Sequence, residues 1–134
     1  MRIGVDIVEI NRIEKAAQRE GFPESILSPQ ELEIYNNYSN KRKMTFLAGR
    51  FSVKEAYAKA LGTGIGHWLR FNHISVEADQ LGAPIVTQGP ITKEAKVSLS
   101  HSKHDAIGMC LIELSDTEIE EKIKNYRNKL GDKK

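Results

Sequence analysis

The sequence predicts an α+β fold, with one antiparallel sheet packed against a long central helix. Three observations carry this. Residues 3–10 (IGVDIVEI) are apolar and β-branched, which reads as a strand. Residues 41–61 carry apolar side chains on two sides of a helix: Met44, Leu47, Phe51 and Ala58 on one, Phe46, Val53, Tyr57 and Leu61 on another. A helix apolar on two sides is central to its domain. From residue 73 onward the chain reads as strands that return on one another, so strand, helices and antiparallel strands follow in turn.

The elements between these landmarks have their own signals. Asn11 with Glu14 resembles a capping box that opens a short helix, and Gly21 is placed to end it. Ser28-Pro29-Gln30-Glu31 is a stronger start: serine caps, proline fits the first helical position, and Glu31 closes the box. That helix is expected to reach Asn37. Residues 73–78 (HISVEA) alternate, with Ile74, Val76 and Ala78 on one side. Asp79–Gly82 turns the chain into a return strand, Pro84–Thr87. Residues 96–101 (KVSLSH) put Val97, Leu99 and His101 on one face, and a last strand is expected over 106–114. Ser115 with Glu118 caps a final helix, whose stripe of Ile119, Ile123, Tyr126 and Leu130 is suited to docking on its own domain. Residues 115–134 thus form a helical extension of the single domain spanned by residues 1–114.

The bulk numbers exclude several classes. At 134 residues the chain has length for one domain with a modest core. A net charge of +2 says little about partners, but its distribution says more. Between Lys41 and Lys59 there are six cations (Lys41, Arg42, Lys43, Arg50, Lys54, Lys59) and one acid, Glu55. That excess favours an anionic ligand or an acidic protein surface, although a charge run taken alone reads first as a solvated helix face. No apolar run approaches the ~20 residues of a membrane span. The low net charge and the lack of an aromatic stacking motif argue against a nucleic-acid partner. Cys110 is the only cysteine, which rules out an intrachain disulfide and fits a reducing cytoplasm.

Two carboxylates stand in unusual places. Asp6 lies within an apolar strand, and Glu55 borders an apolar face of the central helix. An ionised carboxylate among apolar groups is costly unless it is paired or holds a metal. Each also has a structural reading: Asp6 as an acceptor of backbone amides, Glu55 as half of a helix-surface pair with Lys59. Gly62, Gly64 and Gly66 follow the helix; one glycine is accounted for as a C-cap, and three at alternate positions permit a ligand to approach the backbone. His101 sits among Ser98, Ser100 and Ser102 at a strand end, an arrangement suited to polar or phosphate groups as well as to a structural histidine. His67, His73 and His104 lack zinc-ligand spacing among themselves and with Cys110, and neither a Walker pattern nor a serine nucleophile elbow is present.

Three blocks in this order resemble the holo-acyl-carrier-protein synthases, the small phosphopantetheinyl transferases of bacteria. They are Gly4–Ile10, then Phe46–Ala56 running on through Lys59-Ala60 and Gly62-Thr63-Gly64, then Val97–Ser102. The resemblance covers about residues 1–114 and implies the 4′-phosphopantetheinyl transferase fold. It implies transfer of 4′-phosphopantetheine from coenzyme A to a serine of apo-acyl carrier protein, with adenosine 3′,5′-bisphosphate released. It further implies Mg²⁺ on Asp6 and Glu55, with Lys59 stabilising phosphate charge. Lys41 and Arg50 match positions that grip the 3′-phosphate, and His101 matches a histidine at the nucleotide site. Gly62 and Gly64 belong to the expected coenzyme A site. Arg12, with Lys15 and Arg19, is the expected contact for the acidic carrier. A homotrimer with coenzyme A between subunits is also implied. The competing reading is a non-catalytic module that binds coenzyme A or a nucleotide through the basic helix and glycines.

Overall fold

The computed structural model describes residues 1–131. Residues 132–134 of the expected C-terminal extension lie outside the described residues. Among the described residues, five strands and five helices follow in chain order: β1 (Arg2–Glu9), α1 (Ile10–Ala16), α2 (Phe22–Ile26), α3 (Pro29–Asn36), α4 (Asn40–Leu61), β2 (Ser75–Ala78), β3 (Pro84–Gln88), β4 (Ala95–His101), β5 (Asp105–Ile112) and α5 (Asp116–Lys129). A 3-10 turn, Phe71–His73, precedes β2. The α+β class expected from sequence is observed, but the strands divide between two antiparallel sheets. One is three-stranded with order β1-β5-β4, and the other is the β2-β3 hairpin.

The register of the larger sheet decides what faces α4. Asp6 lies opposite Gly108, and Leu99 lies opposite Gly108 on its other side. Gly4, Asp6 and Val8 alternate inward, while Ile3, Val5 and Ile7 point away from the helix and are exposed. Helix α4 lies very close to this sheet, and glycines are the reason. A Cβ on Gly4 would collide with the Ala56 carbonyl oxygen and stand 2.8 Å from the Ala60 nitrogen. One on Gly108 would collide with the Ser52–Val53 backbone. On β4, Leu99 Cδ1 would lie 3.4 Å from a Cβ at Gly49 of the helix. The helix therefore crosses β4, β5 and β1 in that order as it runs from its N-terminal to its C-terminal half.

Two apolar clusters flank this contact. Tyr57, Leu61, Leu69, Ile74 and Ile112 belong to one, joined by Ile119 of α5; Val8, Ile13, Leu27, Tyr35 and Leu47 belong to the other. The apolar stripe of α5 thus docks on its own domain, as its spacing suggests, except that Leu130 remains exposed. Cys110 is buried, and burial pushes its thiol up to about 12, so it acts as a small apolar core residue.

Local differences from the sequence reading have physical causes. The Asn11–Glu14 box does not form, because α1 continues directly from β1. Its cap position is Glu9, still paired with Asp105, and the Ile10 amide donates to the His104 carbonyl at 2.8 Å. Gly21 does not close α1; at φ 86° it opens α2, a five-residue helix too short to show a sequence period. The Ser28 capping box is present, and Ser39 caps α4.

Lys54 corrects the reading of the cationic run. It is fully buried and belongs to no anion-binding surface. Its ammonium donates to Glu31 Oε1 at 2.6 Å and to the carbonyls of Ile26 at 2.7 Å and Phe71 at 3.0 Å. Burial pulls Lys54 down, to about 8, against the opposing pull of Glu31. Glu31 is equally buried and accepts from the amides of Ser28 and Val76, both at 2.8 Å. This knot ties α2, α3 and the 3-10 turn to the central helix.

Substituting Gly108→Ala is expected to cost at least ~2 kcal/mol of stability, since an added methyl in a tightly packed contact costs ~1–3 kcal/mol and here meets backbone. Gly66, which has open space around it, provides the control: Gly66→Ala is expected to stay within ~0.5 kcal/mol of wild type. Urea unfolding of the two variants checks both values.

Candidate active site

The diagonal path of α4 creates two separate clusters of chemistry-bearing residues. The first lies where the C-terminal half of α4 passes β1. Lys59 Nζ donates to Asp6 Oδ1 at 3.1 Å and to the Val5 carbonyl at 3.0 Å. Glu55, one turn earlier on the same helix, is half-buried. Burial raises its carboxyl above the usual range, the nearby charge of Asp6 raises it further, and Lys59 opposes both. The structure thus brings together all three residues expected at the metal and phosphate end. Gly62 and Gly64 follow Lys59 directly. Gly62 ends α4 in the left-handed region at φ 82°, where its amide donates to the carbonyls of Ala58 and Lys59. The Arg2 guanidinium, which donates to the Leu61 carbonyl at 2.8 Å, closes the same helix end.

The donor set at this edge suits a hard divalent cation. Two carboxylates offer only oxygen acceptors, and their mutual repulsion is offset by a single ammonium. No group of three or more histidine, cysteine or carboxylate side chains suited to a metal occurs among the described residues. An ion held here would keep most of its positions for water or a ligand's oxygens, which is the habit of Mg²⁺.

The second cluster lies at the opposite edge of the sheet. A cleft of about 450 Å³ is lined by Tyr38, Lys41, Arg42, Phe46, Arg50 and His101, among others. Lys41, Arg50 and His101, the residues expected at the nucleotide, therefore share one cavity. Arg50 is held firmly: its Nε donates to the Val76 carbonyl at 3.0 Å, lies 3.7 Å from Glu31 Oε2, and its guanidinium stacks over Phe46 at 4.4 Å. Burial lowers the Arg50 pKa, Glu31 opposes this, and the group stays cationic. His101 is exposed at the end of β4. Arg42, which stacks on Tyr38 at 4.3 Å, joins this cleft although the sequence reading used it only as part of a charge run. Its position three residues after the Ser39 cap was the available signal.

One chain does not assemble these clusters into a single site. Lys41 and Glu55 are separated by ~21 Å of helix axis. His101 on β4 and Asp6 on β1 are two strands apart, ~10 Å in the pairing direction.

The residues expected at the carrier also separate. Arg12 and Lys15 are exposed on α1, while Arg19 lies in the turn after it, because α1 ends at Ala16. Arg19 stands over Phe22 at 5.5 Å and borders a cavity of about 570 Å³. Phe22, Phe51 and Phe71 line that cavity, with Ile65, His67 and Arg70 from the segment that follows the glycines, and no carboxylate lines it. Phe51 and Phe71 stack at 5.0 Å.

Comparison with known proteins supplies a framework for this geometry. The ACPS family model, described as the 4′-phosphopantetheinyl transferase superfamily, matches residues 2–119. Holo-[acyl-carrier-protein] synthase of Limosilactobacillus reuteri is 48% identical over 101 residues, 75% of this chain and 84% of that protein. Its counterpart from a Geobacillus species is 47% identical over 112 residues, 83% and 94% of the two chains. A crystal structure of a holo-(acyl-carrier-protein) synthase from Bacillus anthracis in complex with CoA (3′,5′-ADP) superimposes with a TM-score of 0.77 at 41% identity, covering 85% of this chain and 96% of that one. The Helicobacter pylori enzyme in complex with coenzyme A gives 0.70 at 35% identity, covering 83% and 99%. The family match stops at residue 119, inside α5.

Carboxyl titration by NMR checks the electrostatics of the β1 edge in the ligand-free protein. Glu55 is expected to titrate above an ordinary glutamate. Asp6→Asn removes a like charge and should bring that midpoint down, whereas Lys59→Met removes the opposing cation and should push it up.

Proposed function

The chain belongs to the 4′-phosphopantetheinyl transferase superfamily, and we propose that it acts as a holo-acyl-carrier-protein synthase. It transfers 4′-phosphopantetheine from coenzyme A to a serine of apo-acyl carrier protein and releases adenosine 3′,5′-bisphosphate. The observation that carries the reading is the pairing of a carboxylate–lysine edge with a separate cationic cleft on one family scaffold.

The reaction sets the roles. The carrier serine hydroxyl attacks the β-phosphorus of coenzyme A. A bond forms between the serine oxygen and phosphorus, and the bond from phosphorus to the bridging oxygen breaks. We assign Asp6 and Glu55 as the residues that would hold Mg²⁺; when bound, it neutralises charge on the phosphate oxygens. Glu55 is also the assigned acceptor of the serine proton. Lys59, already 3.1 Å from Asp6, is suited to stabilise the negative charge left on the departing bisphosphate. Lys41, Arg50 and His101 are assigned to the nucleotide end. For the 3′-phosphate, a fixed guanidinium supplies a forked donor that a lysine lacks. Gly62 and Gly64 are assigned to backbone approach by coenzyme A.

A homotrimer with sites between subunits follows from the same proposal. Two clusters on opposite edges of one sheet become a single site when the β1 edge of one copy meets the β4 edge of another. The exposed apolar residues Ile3, Val5, Ile7, Ile107 and Met109, side by side on the outer face of β1 and β5, support such an association. Arg12, Lys15 and Arg19 are assigned to the acidic carrier, with a rate of association that falls as salt rises. A cytoplasmic location is part of the proposal: the sole cysteine is a buried free thiol, and no described helix is long and apolar enough to cross a membrane.

Mass spectrometry of apo-carrier protein incubated with the chain, coenzyme A and Mg²⁺ tests the reading. A phosphopantetheine-sized mass gain is expected from wild type and none from Asp6→Ala or Glu55→Ala, both of which should keep wild-type circular dichroism. Coenzyme A binding without any mass gain from wild type would instead favour a non-catalytic binding module. Shared sites predict complementation. Glu55→Ala and His101→Ala chains, each inactive alone, should regain part of the activity when unfolded together and refolded as mixed assemblies.

A further inference from the structure

We infer that helix α5, through Trp68, is a positioning strut for residues 65–70, the far end of the glycine-rich segment 62–70, and that it tunes recognition of the carrier protein without touching the chemistry. The inference rests on the carrier-binding part of the proposed function.

The segment is costly to order. Gly62, Gly64 and Gly66 occur within five residues, and the first two occupy left-handed backbone at φ 82° and 67°. Glycine loses more conformational freedom on folding than other residues. Few backbone hydrogen bonds offset this: the amides of Thr63 and Gly64 reach the Ala58 carbonyl, both at 3.2 Å, and Gly66 reaches the Leu69 carbonyl at 3.0 Å. Beyond Gly64 the segment is held by three side chains, Ile65, Trp68 and Leu69, of which Ile65 and Trp68 pack partly buried against the core. Leu69 is fully buried in the core. Trp68 is only partly buried, and its outer partners come from α5. The Tyr126 ring lies 6.3 Å away, tilted by 57°, and the Arg127 guanidinium stands over the indole at 5.0 Å. Ile119, fully buried, anchors the start of that helix.

What this strut positions is the wall of the cavity of about 570 Å³. Ile65, His67 and Arg70, on either side of Trp68, line it together with Arg19, Phe22 and Phe51. The wall carries two of the cavity's basic groups. Tyr126 and Arg127 lie beyond residue 119, where the family match ends, so this contact is a feature of the chain's own C-terminal helix. The metal-binding candidates lie at the β1 edge and the nucleotide cleft at the β4 edge. Gly62 and Gly64, assigned to coenzyme A, are held by the Ala58 carbonyl of α4 and not by α5, so a displaced wall would alter carrier affinity and leave coenzyme A binding and turnover intact.

Trp68 is the only tryptophan, so its fluorescence reports the contact directly. In a Tyr126→Ala/Arg127→Ala double variant, tryptophan emission should shift to the red and acrylamide should quench it more readily. KM for apo-carrier protein should rise about threefold to tenfold, as only part of the energy of the lost intrachain aromatic and cation–π contacts passes into binding. KM for coenzyme A and kcat should stay at wild-type values. Tyr126→Phe, which keeps the ring, should behave as wild type. If the double variant melts below the assay temperature, Arg127→Ala alone carries the same test with a smaller rise. A red-shifted variant with unchanged KM for the carrier, an unshifted emission, or an equal loss in the coenzyme A parameters overturns the inference alone. No transfer by the wild-type chain overturns the functional reading and this inference with it.

Discussion

The rest of the structure depends on how closely α4 lies on the three-stranded sheet. Glycines on two strands and one on the helix remove the Cβ atoms that would hold them apart. A helix on a sheet normally rests on side chains that fill the gap between them. Here, at Gly4 and Gly108, strand backbone meets helix backbone almost directly. That approach brings Glu55 and Lys59 within reach of Asp6, whose strand would otherwise stand a side-chain length away. The site is thus a consequence of packing. Asp6 can lie in an apolar strand because the same close contact delivers an ammonium to it at 3.1 Å.

A close helix must also be held along its length, and the buried pair of Lys54 and Glu31 does this. Burying two charges is costly, and their attraction offsets the loss only when each is fully hydrogen-bonded. Both are: Lys54 has three acceptors, and Glu31 has two backbone amides besides. The pair fixes the rotation of α4 about its own axis. Lys54 faces α2, α3 and the 3-10 turn, so the next residue, Glu55, is turned by ~100° towards the β1 edge. Arg50, one turn before Lys54, lies near the same carboxylate and is thereby aimed along the nucleotide cleft. One glutamate three residues after a helix cap therefore orders both ends of the proposed chemistry.

Much of this was legible in the sequence, and what was not has a common cause. The strands, the long helix, the Ser28 and Ser115 boxes and the grouping of Asp6 with Glu55 follow from local pattern and from the family blocks. Gly4 and Gly108 gave no local sign of their role, because a close approach involves residues about fifty positions apart. Lys54 read as one more cation in a basic run, since nothing near it in the chain reveals that its partner is Glu31. The helix opened by Gly21 was too short to show a period. The separation of Arg50 from Lys59 was hidden for a similar reason. Along a sequence they are neighbours on one helix; only the crossing of β4, β5 and β1 shows that the helix carries them to different edges.

That crossing bears on why association would be tied to activity at all. In the proposed reaction, a cleft for the nucleotide and a carboxylate edge for the pyrophosphate would have to face one molecule of coenzyme A from two sides. On a single sheet of three strands they lie at opposite edges. Enlarging the chain to fold one edge over the other would need another layer. Repeating the sheet in a second copy brings the same result with no new residues, provided the edges meet in a fixed register. The exposed Ile3, Val5 and Ile7 alternate with Gly4, Asp6 and Val8 on a single strand. The side chains that would join two copies and the side chain that would hold the metal thus share one backbone. A shift of one residue in β1 would move Asp6 to the outer face and the apolar residues inward, so in the proposed assembly sheet register would couple association to catalysis.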